Sequence, residues 1–301
     1  MTRIAIVGAG SIGVAWAIVF ARAGHSVVMH DVSSDRLSDA VAEVEQRAAM
    51  LRSFGLLEGS LSVSVADSLA EAVVDADHVQ ECVVEDLAVK RSLFASLDGL
   101  VGGSCVLASS TSMIPASQFA AALSGRSRCL VVHPGNPPYL LPVAELVPAP
   151  FTDQLVVERT RSLLSSAGMT PVLVRKEIEG FVFNRLQGAL LREAYALVRD
   201  GVASPDDIDV VVSHGLGPRW SILGPFATAE LNTRGGIQRH AQVMGPAYAR
   251  MGAERGDHGQ WTAELVEEVA AALAERLPRD QWAEHVEARD LALMKLTQAF
   301  A

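Results

Sequence analysis

Four polar residues stand where apolar runs end or where a helical stretch begins: Ser112, His133, Glu145 and Asn184. His133 closes the apolar run Cys129 to Val132 and precedes Pro134, Asn136 and the pair Pro137-Pro138, so the chain turns sharply where the imidazole is exposed. Twelve residues later Glu145 lies inside the apolar run Val143 to Val147, where a carboxylate is costly to bury without a partner. An imidazole is the natural partner. A histidine backed by a carboxylate can take a proton from a hydroxyl and return it. A lone histidine reads more often as a satisfied core group, but that reading leaves the acid unexplained. Ser112 belongs to the run Ser109-Ser110-Thr111-Ser112, where a hydroxyl either caps the next helix or polarises a substrate oxygen. Asn184 falls on an apolar helical face where an amide needs partners, either a substrate or a structural hydrogen bond across a domain interface.

A second constellation precedes these. Gly8-Ala9-Gly10-Ser11-Ile12-Gly13 follows a β-branched run and opens a helical stretch, the context a dinucleotide-binding turn requires. Gly8 permits the tight turn, Gly10 lets amides at Ser11 and Ile12 approach a pyrophosphate, and Gly13 lets helix and strand pack closely. Asp31 ends the second strand, eighteen residues beyond Gly13, where a carboxylate accepts hydrogen bonds from adenosine ribose hydroxyls. The same charge opposes a 2′-phosphate, so NAD is expected over NADP, with Arg36 nearby as the one feature favouring the latter. With NAD bound, His133 would accept a carbinol proton as hydride leaves the carbon, and Glu145 would balance the imidazolium.

The elements that must position these groups are legible from periodicity. Short β-branched runs near 3–7, 26–31, 61–65, 78–82, 104–108, 129–133, 143–147 and 171–174 alternate with helical stretches at Ile12–Ala23, Ser34–Phe54, Leu87–Leu97 and Asp153–Ala167. That alternation predicts a doubly wound parallel sheet over residues 1–176. After Glu177 the strand signal vanishes, and residues 177–301 read as an all-helical domain. Glu177–Asp200 carries enough apolar residues to predict its buried axis. Ser204-Pro205-Asp206-Asp207 starts another helix with an N-cap, a proline at the first position and first-turn acids. Thr262–Leu277 and Asp280–Phe300 complete the helical half. There is no internal repeat or low-complexity segment.

Composition narrows the partners. Half of the 301 residues are apolar, and a net charge of −10 without a basic block leaves no footprint for nucleic acid or anionic membrane. No apolar stretch approaches the ~20 residues that span a bilayer, and Met1-Thr2-Arg3 runs straight into an apolar segment too short for a signal sequence. A cytoplasmic location is expected. Cys82, Cys105 and Cys129 have no metal-like spacing and read as buried thiols.

Taken in order, Gly8–Gly13, Asp31, Gln80-Glu81-Cys82-Val83-Val84-Glu85 with Lys90, Thr111-Ser112, His133 with Asn136-Pro137, Glu145 and Asn184-Arg185 resemble the L-3-hydroxyacyl-CoA dehydrogenase superfamily. His133 to Tyr139 and Glu145-Leu146-Val147-Pro148 are most similar to its lambda-crystallin and L-gulonate 3-dehydrogenase branch. Gly215 to Trp220 and Gly224-Pro225-Phe226 extend the resemblance through the helical half. The resemblance implies a Rossmann-type NAD-binding domain and a helical domain for substrate and dimerisation. It implies His133 as the acid/base, Glu145 as its orienting partner, Ser112, Asn136 and Asn184 at the substrate, and Glu85 and Lys90 near the cofactor. Gly135 and Pro218 depart from the residues expected in the gulonate branch.

Other dehydrogenase classes fit poorly. No tyrosine is followed by the Tyr-x-x-x-Lys lysine of short-chain dehydrogenases, and Ile178–Asp200 holds no catalytic lysine. A non-catalytic cofactor-binding protein, as a lens crystallin can be, is the remaining alternative. For substrate, a small free 3-hydroxy acid is favoured over a CoA thioester, because Asp35–Ser64 offers Arg36, Arg47 and Arg52 but no lysine for the nucleotide phosphates. Arg219, in the apolar setting Pro218-Arg219-Trp220, is expected either to clamp a substrate carboxylate or to pair with a distant acid.

Overall fold

The computed structural model describes residues 1–234, 236–256, 264 and 278–300. Contacts divide the chain into two compact units, Met1–Leu186 with Ala288–Ala301, and Gln187–Glu287. The first holds one sheet of eight strands: β1 (Arg3–Val7), β2 (Ser26–His30), β3 (Val63–Val65), β4 (His78–Glu81), β5 (Val106–Ser109), β6 (Cys129–Pro134), β7 (Val143–Pro148) and β8 (Thr170–Leu173). Their order is β3-β2-β1-β4-β5-β6-β7-β8. All eight were foreseen to within two residues at each end, because strands buried on both faces leave apolar runs unbroken by polar alternation. Along β1, Ile4 and Ile6 join one core while Ala5 and Val7 join the other. The first core packs against α1 (Ser11–Arg22) and α2 (Ser34–Ser53), the second against α3 (Leu69–Val73), α4 (Leu87–Leu100) and α5 (Ala116–Ala120).

Every neighbouring pair is parallel except β6 and β7. Only residues 135–142 join these two strands, too few for a helical crossover, so the chain makes a hairpin instead. The antiparallel register sets His133 directly opposite Glu145. After β7 come α6 (Gln154–Ser166) and β8. Helices α3 and α5 were not foreseen, since five residues are too few to show a period. Ser68 and Glu71 do form a capping box ahead of α3.

The helix expected over Glu177–Asp200 begins later, as α7 (Phe183–Arg199). Gly180 and Phe181 hold left-handed φ values of +73° and +50°, which a helix cannot contain. Nor is α7 a buried axis within one chain. Among its residues Ala196 and Val198 are buried, whereas Leu186, Leu190 and Leu191 are exposed. In the second unit follow α8 (Pro205–Val211), a π-turn at Val212–Leu216, α9 (Gly217–Ile222), α10 (Pro225–Asn232) and α11 (Gly236–Arg255). Ser204 caps α8 as foreseen, its hydroxyl accepting from the Asp207 amide at 3.1 Å. The expected helix Thr262–Leu277 lies outside the described residues. A last helix, Trp282–Phe300, places Met294 in the core of the first unit. No described helix is long and apolar enough to cross a membrane.

Candidate active site

The glycine-rich turn has the geometry its spacing implies. Gly8 has φ +103°, and a side chain there would stand 2.6 Å from the carbonyl of Cys82 on the neighbouring strand. A Cβ on Gly13 would lie 2.0 Å from the Gly8 oxygen, so α1 approaches β1 as only glycine permits. At Gly10 a Cβ would meet nothing within 4 Å. Gly10 is also the N-cap of α1 and gives its first amides no side-chain partner, which leaves a cradle for an anionic group. A cavity of about 770 Å³ opens beside it, lined among others by Gly8, Gly10, Asp31, Val32, Arg36 and Cys82. One oxygen of Asp31 accepts from the Ala9 amide at 2.7 Å and the other from Ser33 at 3.0 Å. The carboxylate is thus fixed at the mouth with lone pairs to spare. Ser11 opens α1, and its hydroxyl accepts from Arg47 at 3.2 Å. Arg47 was noted in the sequence without this placement; its guanidinium also lies 5.7 Å from the ring centroid of Tyr139.

His133 and Glu145 meet as their spacing predicted. Both are buried, and Nδ1 lies 2.7 Å from Glu145 Oε2. The other oxygen accepts from the amides of Val182 at 2.7 Å, just before α7, and of Phe183 at 3.0 Å, its first residue. Two backbone donors thus hold the carboxylate on the side away from His133. An ionised carboxylate only accepts, so Nδ1 carries the ring proton and Nε2 presents its lone pair, with no hydrogen bond among the described residues. Phe181, fully buried, places its ring centroid 5.6 Å from that of His133, and Phe183 lies at 6.1 Å. Sequence reading missed this support. The signal for it is Gly180, a left-handed residue directly before the helix.

Ser112 and Asn184 are brought together through the backbone: Asn184 Nδ2 donates to the Ser112 carbonyl at 3.0 Å. Ser112 does not cap the next helix, whose N-cap is Pro115 without a side-chain cap; in the turn before it the Thr111 hydroxyl accepts from the Ile114 amide at 2.9 Å. The Ser112 hydroxyl makes no hydrogen bond among the described residues. Glu85 holds this turn, with one oxygen accepting from the Thr111 hydroxyl and from the amides of Ser112 and Met113, each at 3.0 Å. Lys90, expected beside the cofactor, does not line the cavity. Its ammonium is buried, 2.9 and 3.1 Å from the two oxygens of Glu81 and 3.6 Å from Glu85.

Asn136 is exposed in the hairpin loop after His133. The departure at Gly135 has a packing reason, since a Cβ there would stand 3.0 Å from Val143 and 3.2 Å from Leu141. Nothing in the structure explains Pro218 beyond its place in the first turn of α9, which a proline tolerates. Arg219 is exposed on α9 in the second unit and has no ion pair among the described residues. Cys105 and Cys129 are buried and Cys82 is half-buried at the cavity; all three are free, and burial pushes their thiols up to about 12.

Comparison with known proteins agrees with this geometry. Residues 3–178 match the 3-hydroxyacyl-CoA dehydrogenase NAD-binding domain, and residues 180–278 match the C-terminal domain of the same family. The chain is 39% identical to lambda-crystallin of Oryctolagus cuniculus, over 95% of this chain and 91% of that one. It is 35% identical to an L-carnitine dehydrogenase of Streptomyces coelicolor, over 99% and 94%. Among solved structures, 5-formyl-3-hydroxy-2-methylpyridine 4-carboxylic acid 5-dehydrogenase, an NAD+-dependent dismutase, superposes with a TM-score of 0.86 at 29% identity, covering 99% of this chain and 98% of that one. With both family domains matched in order across a Rossmann-type sheet and a helical region, the chain belongs to the 3-hydroxyacyl-CoA dehydrogenase family and takes NAD as its cofactor.

Proposed function

We propose that the protein oxidises the 3-hydroxyl of a small L-3-hydroxy acid, of the gulonate or 3-hydroxybutyrate type, to the 3-oxo acid, with His133 as acid/base. The observation that carries this reading is the His133–Glu145 pair, in which Nδ1 is engaged by the carboxylate and Nε2 has no hydrogen bond among the described residues. When bound, NAD supplies the acceptor for the hydride of the carbinol carbon. Amides at Ser11 and Ile12, opened by Gly10 and set by Gly8 and Gly13, hold its diphosphate. Asp31 takes the adenosine ribose hydroxyls and disfavours a 2′-phosphate. Glu85 serves the cofactor through the Ser112 turn that it holds, and Lys90 through its carboxylate partners. His133 Nε2 accepts the hydroxyl proton, and Glu145 balances the charge that forms. Ser112, Asn184 and Asn136 orient the substrate oxygen and chain.

Two features favour a free acid over a CoA thioester. A cavity of about 550 Å³ directly after Ser112 is lined by Met113, Ile178, Glu177 and Glu179 among others, and has no basic residue to hold a nucleotide's several phosphates. Among the described residues Arg219 has no ion pair, which supports its reading as a clamp for a carboxylate. The same two glutamates favour a substrate with a cationic substituent, which carnitine, itself a small 3-hydroxy acid, carries.

We further infer residues 1–176 as the cofactor domain and 177–301 as the substrate and dimerisation domain of a cytoplasmic homodimer. The exposed Ile222, Phe226, Leu231, Tyr248 and Met251 of the second unit support a partner surface, and three free thiols suit a reducing compartment. A micromolar mass of one chain by light scattering would contradict the dimer.

The test is a panel of L-gulonate, L-3-hydroxybutyrate, L-carnitine and 3-hydroxybutyryl-CoA followed at the NADH absorbance. A free acid should turn over, and Arg219→Met should raise its KM by one or two orders of magnitude, about 1.4 to 3 kcal/mol. Efficient oxidation of the thioester with indifference to Arg219→Met would establish the thioester instead. NADH binding without turnover of any 3-oxo acid would mark a crystallin-like binding protein.

A further inference from the structure

The most buried ion pair among the described residues joins Glu81 to Lys90, and Glu81 itself is given no part in the reading above. Glu81 ends β4 with its side chain fully buried and every lone-pair direction taken. One oxygen accepts from the Val83 amide at 2.8 Å and from Lys90 at 2.9 Å; the other accepts from Lys90 at 3.1 Å and from the Ser109 hydroxyl. Lys90 spends its remaining proton toward Glu85, at 3.6 Å. Glu85 in turn accepts from Thr111, Ser112 and Met113, and the Ser109 hydroxyl accepts from the Thr111 amide at 3.2 Å. Both ends of the Ser109–Met113 turn are therefore tied to one buried charge. The Ser112 carbonyl then anchors Asn184.

We propose that Glu81 is a positioning residue: with Lys90 it fixes Glu85, and through Glu85 and Ser109 it sets the turn that presents Ser112 and holds Asn184. This rests on the reading of Ser112 as a substrate contact. Stability alone is a weak reason for such a pair, because apolar residues of similar volume usually serve a fold as well or better. Removal of Glu81 would leave the Lys90 ammonium to Glu85 alone, drawing that carboxylate away from the three donors of the turn.

The experiment replaces both charges, Glu81→Gln with Lys90→Met, in the full-length protein, and measures melting temperature, hydrogen exchange across residues 109–116, and kcat. Expected are a melting temperature near that of the parent, exchange of the Ser112 and Met113 amides at least about tenfold faster, and kcat lowered by at least tenfold. Parental exchange rates in the folded double variant would overturn the proposal. Faster exchange with parental kcat would support the relay and remove Ser112 from the reaction. Should the double variant not fold, Glu81→Asp keeps the charge one methylene short; it should speed the same amides about threefold, and parental exchange there would equally overturn the proposal.

Discussion

Glu145→Gln separates the orienting role of the carboxylate from its bulk. The side chain keeps its shape, but only one of its two outer atoms still accepts. The amides of Val182 and Phe183 both donate to Oε1, so the glutamine oxygen must remain there. Turned the other way, the NH2 would face two buried donors and leave them unmade, at roughly 1–3 kcal/mol each. The NH2 therefore faces His133 Nδ1, now 2.7 Å from Oε2, and donates to it. The imidazole must then accept at Nδ1 and carry its proton on Nε2, where the base is needed. Recovering the productive tautomer breaks that hydrogen bond inside a buried site, and the imidazolium formed in the reaction loses its counter-charge. Together these cost about 4 to 5.5 kcal/mol, a loss of about 10³ to 10⁴ in kcat, comparable to an orienting-carboxylate amide in a serine-protease triad. The measurement is turnover at saturating NAD and substrate, with NADH affinity by fluorescence and melting temperature as controls. Both controls should stay near the parent. By microscopic reversibility kcat/KM should fall equally in both directions. A loss of less than tenfold in a folded, NADH-binding Glu145→Gln would refute the tautomer argument and with it the role given to the dyad.

Other perturbations follow from the same geometry. Gly13→Ala should abolish NADH binding or folding, because its Cβ would stand 2.0 Å from a backbone oxygen that cannot give way; fluorescence titration and circular dichroism distinguish the two. Asp31→Ser should erode the preference for NAD over NADP in kcat/KM, whereas a parent that uses both equally would show that Asp31 does not discriminate. His78 is held neutral, burial pushing it down to about 4 from the ordinary histidine value of 6.5, with its Nε2 3.0 Å from Gln80 Oε1. Its folded value is depressed, so the unfolded chain binds more protons between these limits. Stability should be full above pH 6.5 and fall by about 3 kcal/mol as pH drops to 4. His78→Gln should flatten that part of a denaturant midpoint against pH curve.

The sheet was legible because its strands are buried on both faces, and the glycine turn because Gly8 and Gly13 each answer a steric demand. His133 and Glu145 were legible as a pair because a carboxylate in an apolar run needs a partner. The start of α7 was not legible: apolar periodicity runs unbroken from Ile178, and only the left-handed Gly180 and Phe181 postpone the helix until its first amides reach Glu145. The partners of Lys90 were not legible either: the resemblance implied a place near the cofactor, and no spacing shows that an acid nine residues earlier pairs with it. Exposure of the apolar α7 face also lies beyond one sequence, since what covers it need not belong to the same chain.

The hairpin that joins β6 to β7 gives residues 135–142 an importance out of proportion to their chemistry. Side chains alternate faces along a strand, so a register shift of one residue would turn Glu145 away from His133 while leaving both in place in the sequence. The loop is therefore read by parity rather than by composition. Substitutions within it are constrained only where packing is tight, as at Gly135, but an odd insertion or deletion taken up by the strands would part the proposed acid/base pair without altering either member. Among related chains, then, the count of residues between the histidine and the glutamate carries more information about retained activity than the identity of the residues between them.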